Sequence, residues 1–141
     1  MFSNRTEYAI RALTELAKDG DTLKSDQIAV SQNIPPKFLP HILGDLARAG
    51  LVRTSRGYGG GIVLNGKPGN ITFKAIVEAV QGPIVAYECL VGIQKCKLDQ
   101  DCALKLVWQR VQSAVDSILQ STTLEDLITD GKPEDRNDIG R

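Results

Sequence analysis

Apolar positions along the chain switch between a helical period and a strand-like one. Ala9, Ala12, Leu13, Leu16 and Ala17 recur at i, i+3, i+4, i+7 and i+8, the buried stripe of an amphipathic helix. Asn4 is placed to cap that helix, with Glu7 in a capping-box position, and Gly20 to end it. A short helix is expected over 25–32, with Ile28 and Ala29 facing inward, followed by a tight turn at Asn33 and Ile34. A third helix runs to Ala49, shows Phe38, Leu39, Ile42, Leu43 and Leu46 on one side, and stops at Gly50. Residues 51–55 and 62–64 read as short strands around the turn Arg56-Gly-Tyr-Gly-Gly-Gly61, which predicts a β-hairpin.

Thr72 caps a predicted fourth helix over 73–81, with Ile71 and Ile76 spaced for a hydrophobic staple, and Gly82-Pro83 breaks it. Residues 87–102 show no clean period and read as a loop. The longest predicted helix covers 103–121, with Leu104, Val107, Trp108, Val111, Val115, Ile118 and Leu119 along one stripe. Thr123 and Leu124 begin a last short turn, and beyond Ile128 the polar composition predicts disorder.

Helix, short helix, tight turn and helix is the outline of a helix-turn-helix, and a hairpin directly after it makes a wing. The expected fold class is mainly α with a small β-hairpin. A winged helix-turn-helix domain covers 1–82, a cysteine-containing loop 83–102, a dimerisation helix with a short C-terminal turn 103–128, and a tail 129–141. A small winged helix does not need so long a final helix for its own core. That helix either pairs with a second copy of itself or folds back on its own subunit.

The formal net charge is zero, which by itself argues against a nucleic-acid partner. The distribution is uneven. Residues 1–66 hold 8 Lys+Arg against 6 Asp+Glu, and residues 67–141 hold 9 against 11. No acid occurs between Asp45 and Glu78, a gap that contains Arg48, Arg53, Arg56, Lys67 and Lys74. A local basic face of this kind can serve DNA, although a solvated surface fits the charge pattern equally well. The glycine run has no Gly-Lys-Ser/Thr ending and does not open a helix after a strand, so it fits neither a P-loop nor a dinucleotide fingerprint. In a wing, Gly59 and Gly60 would let the backbone approach phosphates closely, while Arg53 and Arg56 supply charge.

The three cysteines, Cys89, Cys96 and Cys102, stand close together in an otherwise cysteine-free chain. Thiolates so grouped suit a soft centre: an iron–sulfur cluster, zinc or copper(I). An odd count in a chain without a signal peptide or a membrane-length apolar run predicts a cytoplasmic protein with reduced thiols and no membrane partner. No nucleophile–histidine–acid set, carboxylate pair or hydrolase motif is visible, and His41 is the only histidine, so an enzyme is not expected.

Several of these residues coincide with a known pattern. The stretches Thr6-Glu-Tyr-Ala-Ile-Arg-Ala-Leu13, Leu46-Ala-Arg-Ala-Gly-Leu-Val-Arg53 and Arg56-Gly-Tyr-Gly-Gly-Gly61 carry it first. Gly82-Pro83, the three cysteines, Trp108 and Thr123-Leu-Glu-Asp-Leu127 continue it. Together they resemble the Rrf-type winged-helix transcription regulators, in particular the cluster-binding IscR-like and NsrR-like members. The resemblance implies a homodimer on double-stranded DNA, reading a roughly palindromic operator with half-sites about 34–36 Å, or a multiple, apart. It implies a third helix in the major groove and a wing at the minor groove, with Arg56 as the wing arginine. The base-selecting glutamate of IscR-like members is replaced by Pro40, so their operator is not implied, and Lys37 and His41 flank that position. The candidate DNA contacts are Lys37, Phe38, His41, Arg53, Arg56, Tyr58, Gly59 and Gly60.

The resemblance further implies an iron–sulfur cluster, 2Fe–2S or 4Fe–4S, on Cys89, Cys96 and Cys102, sensing redox state, oxygen, nitric oxide or cluster status. The histidine that IscR-like members use as fourth ligand is replaced by Lys105. Some NsrR-like members instead use a carboxylate near the partner's amino terminus, and Glu7 falls at that position; Glu88, Asp99 and Asp101 are local competitors. Two alternatives stay open: a cluster-free regulator acting through its thiols or a partner protein, and a structural zinc site.

Overall fold

Helix α1 (Asn4–Asp19) forms where the apolar stripe requires it, and Ala9, Ala12, Leu13 and Leu16 are each buried to within 1%. Its cap lies one residue earlier than the sequence predicts. Ser3, not Asn4, has the extended backbone of an N-cap, and its hydroxyl accepts from the Thr6 N–H at 3.2 Å. Glu7 is thereby moved off the capping-box position. Gly20 closes the helix in left-handed backbone, φ 69°. The computed structural model describes residues 1–92 and 101–130.

Around α1 pack α2 (Ser25–Gln32), α3 (Leu39–Arg48), the hairpin of β1 (Val52–Ser55) and β2 (Gly61–Leu64), α4 (Phe73–Gln81) and α6 (Leu124–Asp130), while α5 (Ala103–Ser121) lies against α4. Asn33, in left-handed backbone at φ 52°, makes the turn between α2 and α3. Leu39, Ile42, Leu43 and Leu46 of α3 point into the core as the pattern predicts. Phe38 does not: it precedes the helix, stays 42% exposed and stacks on Tyr8.

The antiparallel hairpin pairs Val52 with Leu64 and Ser55 with Gly61. A third short segment, which local pattern does not reveal, fixes its base. Leu23 exchanges both backbone hydrogen bonds with Ile62, at 2.9 and 2.7 Å. Gly61 is required there, since a Cβ would lie 2.6 Å from the Leu23 carbonyl oxygen.

Thr72 caps α4 by accepting from the Ala75 N–H, and the staple residues Ile71 and Ile76 are both buried. One core runs through α1, α2, α3, the hairpin and α4, and Leu124 of α6, fully buried, belongs to it. Backbone bonds from Phe73 N–H to the Thr122 carbonyl and from Leu124 N–H to the Ile71 carbonyl return the chain to this core. A smaller cluster of Val77, Ile84 and Leu119, with Phe73 and Val115, seats α5 on α4.

The stripe on α5 therefore divides. Val115 and Leu119 face α4, while Leu104, Val107, Val111 and Ile118 remain exposed, together with Leu106. Folding back covers only Val115 and Leu119 of the apolar face near its C-terminal end. Among the described residues no helix is long and apolar enough to cross a membrane. The end of α6 extends to Asp130; the remainder of the predicted disordered tail lies outside the described residues.

Leu46 closes the core from α3 with no exposed surface. Leu46→Ala is expected to cost about 2–5 kcal/mol of unfolding free energy through lost burial and a residual cavity. Urea denaturation checks this, and a loss under about 1 kcal/mol would place Leu46 outside a tightly packed core.

Candidate nucleic-acid interface and thiol site

The inward residues of α3 leave the opposite face to solvent. Lys37, Pro40, His41 and Arg48 are exposed along it, with Gly44 and Asp45 half-buried between them. The Lys37 ammonium lies 5.0 Å from the Phe38 ring centroid, and the Phe38 ring stacks on Tyr8 with centroids 6.3 Å apart. These contacts hold Lys37 and Phe38 at the amino end of α3. Arg5, at the start of α1, reaches the same surface through an ion pair to Asp45. Periodicity gives no signal for that contact, because its partners are 40 residues apart.

In the wing, Arg53 leaves β1 on its exposed side, and Arg56, Tyr58 and Gly59 are exposed in the turn. Tyr58 projects fully into solvent. Gly59 has φ 79°, which favours glycine. Gly60 is tight for a different reason: a Cβ there would sit 2.6 Å from the Ser55 carbonyl oxygen. The glycine run thus shapes the turn, and the cations are carried at its base. The eight candidate DNA contacts fall on two features: Lys37, Phe38 and His41 at the amino end of α3, and Arg53, Arg56, Tyr58, Gly59 and Gly60 on the hairpin.

The cysteine segment starts from α4. After Gly82-Pro83 the chain runs along α5, where the Gln112 amide grips it twice. Gln112 Nε2 donates to the Ile84 carbonyl at 2.8 Å, and its Oε1 accepts from the Ala86 N–H at 2.7 Å. Tyr87 then stacks on Trp108 of α5, centroids 5.3 Å apart and planes 7° apart. Cys89 follows within a 3-10 turn over Glu88–Leu90, where the sequence pattern predicts only loop. Cys102 is the residue before α5 and stands at the N-terminal end of that 19-residue helix. Both are free, half-buried thiols. Cys96 and Asp99 lie outside the described residues. The Lys105 N–H donates to the Cys102 carbonyl in the first turn of α5.

Among the described residues, no three His, Cys, Asp or Glu side chains converge as a metal site within one subunit. Two thiols flanking the undescribed part of the loop still form a soft donor set, suited to iron–sulfur or zinc rather than to hard cations. Glu7 is exposed and its carboxylate pairs with Arg11 one turn on. His41 sits on the outer face of α3, as the sequence predicts, and not in the cysteine segment.

The amino terminus is tied to the same region. The buried Thr6 hydroxyl donates to Gln81 Oε1 at 2.5 Å, the Ser3 N–H donates to the same oxygen, and Gln81 Nε2 donates to the Met1 carbonyl. Gln81 is the last residue of α4, immediately before Gly82-Pro83. The start of α1 and the start of the cysteine segment are joined through one side chain.

A helix-turn-helix with a glycine-tipped wing and a long, half-covered α5 defines a winged-helix transcription regulator. The sequence profile of the Rrf2 family, described as an iron-dependent transcriptional regulator, matches residues 2–130, and the chain belongs to that family. The HTH-type transcriptional regulator CymR of Bacillus subtilis is 38% identical over 138 residues, covering 94% of each chain. An rrf2-like regulator of Rhodobacter capsulatus is 33% identical over 143 residues, covering 94% of this chain and 95% of that one. Among solved structures, CymR, the global cysteine regulator of B. subtilis, superposes with a TM-score of 0.77 at 31% identity, covering 92% of this chain and 96% of that one. IscR of T. potens shares the fold, with a TM-score of 0.76 at 24% identity over 95% of this chain and 90% of that one. These relatives are regulators and not enzymes, as the sequence led us to expect.

Trp108 is the single tryptophan of the chain and reports on the Tyr87 contact. Tyr87→Ala is expected to expose its ring and shift its fluorescence emission to the red. An unchanged emission maximum would mean that the stack does not hold the segment on α5 in solution.

Proposed function

We propose that the chain is a cytoplasmic, homodimeric transcription regulator. It binds double-stranded DNA through α3 and the wing and senses redox or iron–sulfur status through a cluster on Cys89, Cys96 and Cys102. The observation that carries this reading is the placement of the cysteine segment. It is clamped to α5 by Gln112 and Trp108, and joined to the start of α1 by Gln81. A change at Cys89 or Cys102 bears at once on the helix that would pair with a second copy and on the domain that would read DNA. The iron-dependent description of the family supports the same assignment.

When bound, the cluster supplies a centre whose redox state and ligation respond to small oxidants. The residues of this chain do the rest. Cys89, Cys96 and Cys102 donate thiolates. Glu7 of the partner subunit is the candidate fourth ligand: in its own subunit that side chain is 56% exposed, off the cap position, and among the described residues engaged in a surface ion pair with Arg11. Asp101 and Glu88, both exposed beside the thiols, compete for that role. A carboxylate is harder than a thiolate, so iron held that way is released readily.

A second reading has its own support. The likeness to CymR, a global cysteine regulator, favours a cluster-free protein answering through its thiols or a partner protein. Anaerobic purification followed by iron and acid-labile sulfide analysis separates the readings. The cluster predicts both elements and a coloured protein, and Glu7→Ala is expected to bleach faster in air. Zinc without sulfide would establish a structural metal, and neither would favour the thiol reading. A Glu7→Ala spectrum as stable as that of the unsubstituted protein would remove Glu7 from the ligand set.

The uncovered face of α5 is assigned to the second copy. Val107, Val111 and Ile118 are 49%, 37% and 64% exposed in one chain and recur along one side of the helix, the kind of apolar patch that a second copy can cover. Ile118→Glu is expected to convert the dimer to a monomer in sedimentation velocity. A variant that stays dimeric would place the interface elsewhere.

A further inference from the structure

The outer face of α3 carries an acid where a DNA reading calls for positive charge. Asp45 stands among Lys37, His41 and Arg48, and an open carboxylate there would repel a phosphate backbone. It is not open. Arg5 Nη2, from the start of α1, donates to Asp45 Oδ2 at 2.5 Å, and Arg48 Nη2 donates to Asp45 Oδ1. The Asp45 side chain is only 16% exposed, while those of Arg5 and Arg48 are 49% and 76% exposed. The acid is covered and the two cations are presented, with one positive charge in excess.

One carboxylate occupied on both oxygens sets two guanidinium groups side by side. Each keeps N–H donors beyond the one it spends on Asp45. Gly44 lowers the surface next to them. It lines a surface hollow of about 400 Å3 together with Arg5, Phe38, His41, Asp45 and Arg48. The exposed guanidinium groups limit what these pairs add to folding stability, so stability alone does not account for the arrangement. Preorganisation does: an arginine already held by a carboxylate gives up less freedom when it docks.

We propose that Arg5 and Arg48, splinted by Asp45, form a second clamp on the DNA backbone in addition to the wing. Asp45 acts as the positioning residue that restricts the clamp to one register on the operator. The inference rests on the DNA-binding reading above and adds residues from α1 and the end of α3 to it.

Charge counting and positioning predict opposite signs for Asp45→Asn. Removing an acid raises the net charge by one and should tighten binding to any duplex. Removing the splint should weaken binding to the correct duplex alone. The test uses a duplex that the full-length protein enriches from a randomised pool, and a mixed-sequence duplex of equal length, each titrated across a range of salt concentrations. Asp45→Asn is expected to weaken operator binding roughly tenfold, as for a lost charged hydrogen bond, without weakening binding to the mixed duplex. Arg5→Ala and Arg48→Ala should each lower the slope of log affinity against log salt by about one, as should Arg56→Ala in the wing.

Tighter operator binding by Asp45→Asn overturns the positioning role. Unchanged salt slopes for Arg5→Ala and Arg48→Ala overturn the clamp, and those two variants carry the test if Asp45→Asn fails to fold by circular dichroism. In either case a wild-type operator complex weakened by Arg56→Ala leaves the DNA-binding reading standing. Wild-type protein that enriches no sequence overturns that reading and this inference together.

Discussion

Burial of the α1 stripe is the interaction on which the other elements lean. Ala9, Ala12, Leu13 and Leu16 have essentially no exposed surface, and α2, α3, α4, α6 and β2 all contact this helix. The two alanines matter as much as the leucines, since small side chains let neighbouring helices approach closely while leucines fill the space between them. Full burial of one leucine contributes about 1.5–3 kcal/mol, so the stripe is a large part of what a chain of this size can spend on order. α1 also holds both ends of the proposed switch. Its first residues carry Arg5, Thr6 and Glu7, which reach α3, α4 and solvent in turn.

Polar contacts then convert a generic helical core into one particular arrangement. Gln81 ties three groups of the amino terminus to the end of α4, and Gln112 fastens the chain leaving α4 onto α5. Among the described residues, no buried side-chain nitrogen or oxygen lacks a partner. An unpaired buried polar group costs about 1–3 kcal/mol, so the buried Thr6 hydroxyl holds Gln81 in place strongly even where the bond adds little net stability. The cysteine segment is anchored in this way at Gln112, at Trp108 and at the start of α5. Its chemistry is thereby linked to both α1 and α5.

Local pattern reads the elements well because each is bounded by a side chain that acts over a few residues. Thr72 caps α4, Gly20 closes α1, and Asn33 turns the chain in left-handed backbone. The displaced cap at Ser3 shows the limit. Both Ser3 and Asn4 can accept a backbone N–H, and the choice falls to Ser3 because its hydroxyl also meets Thr6, which is itself buried against Gln81. The Phe38 ring departs from the apolar side of α3 for a similar reason, since Tyr8 offers it a stacking partner outside the core.

The sequence by itself determined the winged-helix outline, the glycine-shaped hairpin, the position of the thiols and the family, because these rest on short-range periodicity, turn chemistry and residue type. Tertiary structure alone decided which acids and amides meet which partners. Arg5 with Asp45, Thr6 with Gln81, Leu23 with Ile62 and Gln112 with the chain at Ile84 are pairs between distant positions. Nothing in a local pattern encodes them, because hydrogen bonds and ion pairs are specific in distance and direction and form only after the core has set the elements in place. The division of the α5 stripe follows the same logic. Its period marks every apolar position alike, and only packing against Val77 and Ile84 decides which of them this subunit covers and which it leaves exposed.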